Sequence, residues 1–417
     1  MGRPKSDKTI EKEAKEEEND ATISAVEIFE EMDRNFAGFQ MKSSQIQTID
    51  SGSPALNHAM GLSGYPRGRI THIYGPEGAG KSFLAMIAVR NALQDDPKAR
   101  AVWFDAESSF TSEWAIKFGI WDADPKKSKI RVIKGNKGAE IFERLVGKIS
   151  KDGFGRPKKT KDGLVDYIKS GALNCPIIVI DSLADIISPR EETAPVGGLT
   201  YAGLAGFLSS ELKRLSALLE ETNTALICIN QVRQNIDETA QKRNGKYHFP
   251  GGENLAHKMS INLLCDKVYA KEGIIYTDPT GKDINTIIGR KTSITIKKSR
   301  FGPAPKTCQT TLIFTEGGGY DKIGIGDYEK EIIDIAIKFD LIKGGGAWCT
   351  LNYNGKEDKF NGKERLCKFY KENPDELNIL HEIVKTLKPS PAMKNIEDIG
   401  EANDEDAVEE LLENSEE

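Results

Sequence analysis

The chain has 417 residues, 38% of them hydrophobic and 29% charged, enough to bury cores in two or three domains of roughly 100–200 residues each. Its six cysteines (Cys175, Cys228, Cys265, Cys308, Cys349 and Cys367) are scattered without close pairs, which argues against a disulfide framework or a zinc site, and no apolar run approaches the roughly 18 residues of a membrane span. The net charge of −6 is uneven: residues 397–417 hold 11 Asp or Glu and no Lys or Arg, so the remainder carries 58 bases against 53 acids, a net of +5. The scattered cysteines suit a reducing, cytoplasmic setting, and the charge division permits either a polyanionic partner with the tail as tethered competitor or a tail that only solubilises the chain.

Residues 1–22 are charged, low-complexity sequence and are expected to be disordered. In residues 23–39, "ISAVEIFEEMDRNFAGF", Val26, Phe29, Met32 and Phe36 recur at steps of three or four. This predicts a helix with one apolar face, and a lone helix of that kind must dock on something to bury it. From 40 to 325 the chain alternates apolar β-branched runs with helical patterns. The expected strands are "RITHIY", "RAVWFD", "KIRVI", "PIIVID", "ALICIN", "INLLCDKV", "SITIKK" and "TTLIF", with helices near 81–94, 138–150, 164–172 and 203–222. Such alternation predicts an α/β core, a mostly parallel sheet covered by helices on both faces. A small mixed domain is expected over 326–390, and residues 391–417 read as a disordered acidic tail.

The stretch "IYGPEGAGKSFLAM" places Gly75, Pro76, Glu77, Gly78, Ala79, Gly80, Lys81 and Ser82 between a strand and a helix, in the order G-x-x-x-x-G-K-[ST]. Its glycines allow backbone N–H groups to close around phosphates, Lys81 can reach the β/γ-phosphates, and Ser82 can ligate Mg²⁺ at a helix N-terminus. The ligand expected is a nucleoside triphosphate, ATP. Asp181, at the carboxyl end of "IIVID", is placed to hold the Mg²⁺ shell through water. Glu107, just past "AVWFD", can activate the water that attacks the γ-phosphate; its alternative role is a capping or surface carboxylate. The strand "LICIN" ends in Asn230 and is followed by Gln231, an amide pair that can report the γ-phosphate to the loop that follows or serve an equally ordinary buried hydrogen-bonding role. That loop, 233–252, interleaves Arg233, Lys242, Arg243 and Lys246 with Tyr247 and Phe249, which suits a nucleic-acid strand; the alternative is a solvated surface loop. Residues 153–163, "GFGRPKKTKDG", are basic and are read as a solvated loop.

"GPEGAGKS", "FDAES", "IVIDS", "INQVR", the pair Gly251-Gly252 and "GGGAWCTLNYNGKE" together resemble the bacterial RecA recombinase family, including recombinases of large phages, from about residue 23 to the tail. The resemblance implies a RecA-like P-loop ATPase core with an N-terminal oligomerisation helix at 23–39, and an ATP-dependent helical filament of this protein on single-stranded DNA. Such a filament pairs the strand with homologous double-stranded DNA and exchanges strands, with single-strand binding and mediator proteins as further partners and no membrane. It also implies that Glu107 is the catalytic glutamate, that Gln231 couples the γ-phosphate to the DNA loop, and that Thr111 and Trp114 contact adenine. Lys298 and Arg300 match cations that reach a neighbouring subunit's ATP. Residues 190–203 and 233–252 match two DNA-binding loops, with Tyr201, Lys213, Ile236, Gly251 and Gly252 joining the DNA-binding set. Relative to the family, 153–163 is an insertion.

The rival readings are a P-loop kinase or ring helicase, and a DNA-coating protein that holds ATP as a structural ligand. Glu107 with Asn230-Gln231 favours hydrolysis over phosphoryl transfer to another acceptor.

Overall fold

The computed structural model describes residues 46–387 other than 95, 123, 125, 155, 196–202, 235–246, 270–273, 278–285, 305, 317–319, 321 and 345. The expected disordered N-terminus (1–22), docking helix (23–39) and acidic tail (391–417) lie outside these residues.

A two-residue antiparallel pairing of Thr48–Ile49 with Tyr65–Pro66 flanks helix α1 (Pro54–Met60), and β1 (Ile70–Gly75) leads into α2 (Lys81–Gln94). There follow β2 (Ala101–Asp105), α3 (Ser112–Lys117), β3 (Ile130–Lys134) and α4 (Gly138–Val146). A hairpin of β4 (Lys148–Lys151) and β5 (Pro157–Lys161) interrupts the alternation before α5 (Leu164–Lys169) and β6 (Ile177–Asp181). The long α6 (Gly203–Thr222) returns the chain to β7 (Ala225–Gln231), after which β8 (Arg233–Gln234) and β9 (Tyr247–His248) pair across the second loop. Helix α7 (Gly252–Lys258) and strands β10 (Ile261–Lys267), β11 (Ile274–Thr277), β12 (Thr286–Ser299), β13 (Lys306–Ile313) and β14 (Gly324–Ile325) complete the core.

Among the described residues the main sheet has ten strands in the order β14-β13-β12-β10-β1-β7-β6-β2-β3, with β11 on β12. The run from β10 to β3 is parallel and the run from β12 to β14 antiparallel. Parallel strands buried on both faces read as continuous apolar runs, and β6 shows why. Its Ile177 and Val179 face the cluster that includes α2, whereas Ile178 and Ile180 face the cluster built on α4 and α6. Helix α6 meets the second face with Leu208, Leu212, Leu215 and Leu219, at steps of four, three and four, all fully buried.

Two helical expectations are corrected. The helix expected over 138–150 stops at Val146, because Gly147 adopts φ 85° and the next residues enter the hairpin. The helix expected over 164–172 ends at Lys169. The basic stretch read as a solvated loop is also ordered differently: Lys158–Lys161 pair with Lys148–Ser150 as antiparallel strands. At the neck of this hairpin the chain's two crossings touch, since a Cβ built on Gly163 lies 2.2 Å from the Gly147 nitrogen.

Beyond β14, helix α8 (Tyr328–Lys338), the three-stranded sheet β15 (Ile342–Gly344), β16 (Trp348–Leu351) and β17 (Lys359–Asn361), and helices α9 (Gly362–Glu372) and α10 (Pro374–Thr386) surround an apolar cluster of their own. One buried carboxylate ties this segment to the core. Glu331 of α8 accepts from Ser53 Oγ (2.6 Å) and the Ala55 amide (3.0 Å) at the start of α1, and from Thr310 Oγ1 (2.7 Å) of β13.

Candidate nucleotide and hydrolysis site

The phosphate loop leaves the carboxyl end of β1 and closes on the first turn of α2. Gly75 is needed for close approach: a Cβ there lies 1.9 Å from the Cys265 carbonyl oxygen of β10. The loop's carbonyls are held by two side chains of β12 and by the loop's own lysine. Arg290 Nη1 donates to Gly78 O (2.9 Å), Thr292 Oγ1 to Ala79 O (3.3 Å), and Lys81 Nζ to Gly75 O (2.9 Å) and Pro76 O (2.8 Å). With the carbonyls so engaged, the amides and dipole at the start of α2 provide an anion site. Lys81 is 8% exposed, and burial lowers the pKa of its ammonium.

Ser82 Oγ donates to Asp181 Oδ2 (2.8 Å), bringing together the two residues expected to serve the metal. Asp181 is 2% exposed and its other oxygen, Oδ1, has no hydrogen-bond partner. Burial pushes its carboxyl up to about 7; Glu107 and Asp105 add to the shift while the Ser82 hydroxyl and Lys81 oppose it. A half-buried hydroxyl and a buried carboxylate with a spare oxygen fit Mg²⁺, which takes few protein ligands and completes its octahedron with phosphate oxygens and water.

Glu107 is anchored beside this pair, since the Ala106 and Glu107 amides both donate to the Asp181 carbonyl (2.7 and 3.2 Å). Gln231 Nε2 donates to Glu107 Oε1 at 2.9 Å, joining residues 124 positions apart. Partial burial raises the pKa of Glu107, with Asp185 adding to the shift and Lys81 opposing it. Next to Gln231, the fully buried Asn230 donates from Nδ2 to the Pro250 carbonyl (3.1 Å), where the second loop returns to the core. The end of β7 therefore touches the second loop through Asn230 and the Glu107 carboxylate through Gln231.

Among the adenine candidates, Thr111 is the exposed N-cap residue of α3, and half-buried Trp114 stands edge-on to Phe83 of α2 at 5.9 Å. Lys298 Nζ donates to the carbonyls of Ala256, His257 and Met259, each at 2.9 Å, and Arg300 Nη2 to His257 O at 3.2 Å. Both cations thus cap the carboxyl end of their own α7, and burial lowers the pKa of Lys298.

Of the DNA-binding candidates, Lys213 is exposed on α6 and Arg233 is exposed at the base of the second loop. Tyr247 reaches Asp266 with its hydroxyl (3.2 Å to Oδ2), and Phe249 packs inward on His72 and Tyr74, with ring centroids 4.9 Å from each. Gly251 precedes α7 and Gly252 begins it. Tyr201, Ile236, Lys242, Arg243 and Lys246 lie outside the described residues.

The sequence reading did not name Arg290 or Thr292 as loop supports, or Asp105, whose carboxylate accepts from the Ser109 and Phe110 amides and shapes the turn after Glu107. Arg290 and Thr292 alternate along one strand, but nothing in that spacing reveals that β12 lies against the phosphate loop.

Residues 30–152 and 158–318 match the model of the RecA N-terminal domain. The chain is 30% identical over 349 residues to Protein RecA of Bacillus licheniformis, covering 83% of this chain and 84% of that one. It is 29% identical over 344 residues to Protein RecA of Bacillus subtilis (82% and 83%), and 31% identical over 344 residues to that of Frankia casuarinae (82% and 84%).

Proposed function

Because this chain belongs to the RecA family of recombinases, we propose that it hydrolyses ATP at the Lys81–Glu107–Gln231 site while assembled on single-stranded DNA, and uses that filament to pair and exchange strands with a homologous duplex. The observation that carries the reading is the Gln231–Glu107 hydrogen bond, on a strand whose preceding residue holds Pro250 of the second loop. Lys81 and the start of α2 bind the phosphates. Glu107 accepts the proton of the attacking water, and its raised pKa brings its basicity closer to that task. Gln231 holds Glu107 Oε1, so a shift of the loop that draws on Gln231 changes the position of the base. Ser82 and Asp181 would hold Mg²⁺, which supplies neutralisation of the β- and γ-phosphate charge when bound.

The test is hydrolysis with and without single-stranded DNA, followed by strand exchange with a homologous duplex. Hydrolysis stimulated by the single strand, together with exchange, is expected. Hydrolysis indifferent to DNA points to a different P-loop enzyme, and DNA binding without hydrolysis points to a coating protein.

The interface cations yield a sharper expectation. With three carbonyls on its ammonium, Lys298 is committed to α7, whereas Arg300 is exposed and holds one. Arg300→Ala should lower DNA-dependent hydrolysis and leave ATP binding by the monomer intact, because the cation acts on a neighbour's phosphates. Mixing it with excess Lys81→Ala protomers, which keep Arg300 but lack a working loop, should restore turnover. Absence of rescue removes action in trans.

A further inference from the structure

The hairpin β4–β5 belongs to neither DNA loop and has no place in the hydrolytic site. Residues 148–161 carry six bases (Lys148, Lys151, Arg156, Lys158, Lys159 and Lys161) and one acid, Asp152. All of β5 is exposed, and the register sets Lys148 opposite Lys161. Like charges directly opposite on a ladder destabilise it. Two of the six bases are offset locally, Lys148 by Glu143 and Lys159 by Asp166. Lys151, Arg156, Lys158 and Lys161 make no ion pair among the described residues.

The tip is built rather than frayed. Asp152 Oδ1 accepts from the Phe154 and Arg156 amides (2.8 Å each), and the Asp152 amide donates to the Arg156 carbonyl (2.8 Å). This turn presents Phe154 at 89% exposure, and Ile149 stands 52% exposed on β4. At the hairpin's base a cavity of about 880 Å³ is lined by the cations Arg100, Lys126, Arg131, Arg144, Lys148 and Lys161 against three acids. The cavity runs along β2 and β3, from Ala101 and Ile130 to Phe104 and Ile133. The hairpin itself lies toward the amino ends of the parallel strands, because α4 starts past their carboxyl ends, where the Gly138 amide donates to the Ile187 carbonyl (2.9 Å), and carries the chain back before it. The phosphate loop and both DNA loops, by contrast, leave the carboxyl ends.

We propose that the β4–β5 hairpin is a second nucleic-acid contact, a cationic β-ribbon that engages the backbone and a groove of duplex DNA on the side of the subunit opposite the phosphate loop. A two-stranded ribbon fits the major groove of B-form DNA, and its cations release counterions from the phosphates. Single-strand sites instead depend on several aromatic platforms in succession, and this ribbon offers Phe154 alone. The choice of a duplex rests on the strand-exchange reading, which makes duplex DNA a substrate.

The test is fluorescence anisotropy of a labelled duplex with the full chain and a non-hydrolysable ATP analogue, from about 50 to 200 mM salt. A variant carrying Lys151→Ala, Arg156→Ala and Lys158→Ala is compared with the unmodified chain. The three lost contacts should flatten the slope of log K against log salt by about 3, at about 0.9 per phosphate, and weaken binding about tenfold or more at the low-salt end. Single-strand-stimulated hydrolysis and thermal unfolding should be unchanged, because the three side chains are exposed and remote from the hydrolytic site. Equal duplex affinity and equal slope overturn the proposal, leaving the ribbon to an acidic protein surface or to solvent. Absence of single-strand-stimulated hydrolysis in the unmodified chain counts against the recombinase reading itself, a result distinguishable from failure of the ribbon.

Discussion

Replacing Glu107 with Gln should slow ATP hydrolysis by about 10²–10⁴, the usual contribution of a general base, while ATP and single-stranded DNA still bind. The amide cannot take a proton from water, but its carbonyl can still accept from Gln231 Nε2, so the contact that positions residue 107 survives. Lys81, Ser82 and Asp181 are untouched and keep the phosphate site. Filaments should then remain on DNA far longer, because the step that loosens them is slow. Single-turnover hydrolysis, nucleotide binding and DNA binding measured on one preparation separate these effects. Near-normal hydrolysis would falsify the assignment of Glu107 as base and return it to a surface or capping role.

Glu331→Ala should be the most damaging substitution outside the nucleotide site. It leaves Ser53 Oγ, the Ala55 amide and Thr310 Oγ1 without their acceptor. A buried group left unpaired costs about 1–3 kcal/mol, so a loss of about 3 kcal/mol or more is expected, read as a fall in the thermal midpoint of about 4 °C or more. Glu331→Gln retains an acceptor for α1 and offers an N–H to Thr310, and should be tolerated. Burial pushes the Glu331 carboxyl up to about 7, against 4.5 ordinarily. Because the folded value is the higher one, its contribution to stability is complete below pH 4.5 and is lost as pH rises through 7. The unmodified chain should therefore lose stability between pH 5 and 8 more steeply than the Gln variant. Parallel slopes would remove Glu331 as the source.

The parallel strands were legible because burial on both faces leaves an unbroken apolar run, as in "IIVID" and "ALICIN". The hairpin β4–β5 was not, because "KISK" and "PKKTK" bury no apolar side chain and so carry no alternation; backbone pairing, a Ser150–Thr160 hydroxyl contact and exposed ion pairs hold them. Ile149 even extended the apparent period of α4 past its end at Gly147. The phosphate loop could be read residue by residue since its chemistry is contiguous. The Gln231–Glu107 and Asn230–Pro250 contacts could not, because they depend on the order of strands in the sheet. Glu331 did leave a trace in the sequence: it lies three residues after Tyr328 and four before Ile335, a carboxylate on the stripe of α8 that also carries buried Ile332.

The meeting of Gly147 and Gly163 makes the hairpin a detachable module. Its two ends enter the body side by side, so shortening or lengthening what lies between them alters neither α4 nor α5, and doubling a loop's length adds only about 0.6 kcal/mol of closure cost. The match to the RecA N-terminal domain is interrupted at 153–157, inside this module. A lineage can gain, shed or exchange a surface appendage at such a neck without renegotiating the main sheet, and the same position offers a port for splicing in a reporter domain.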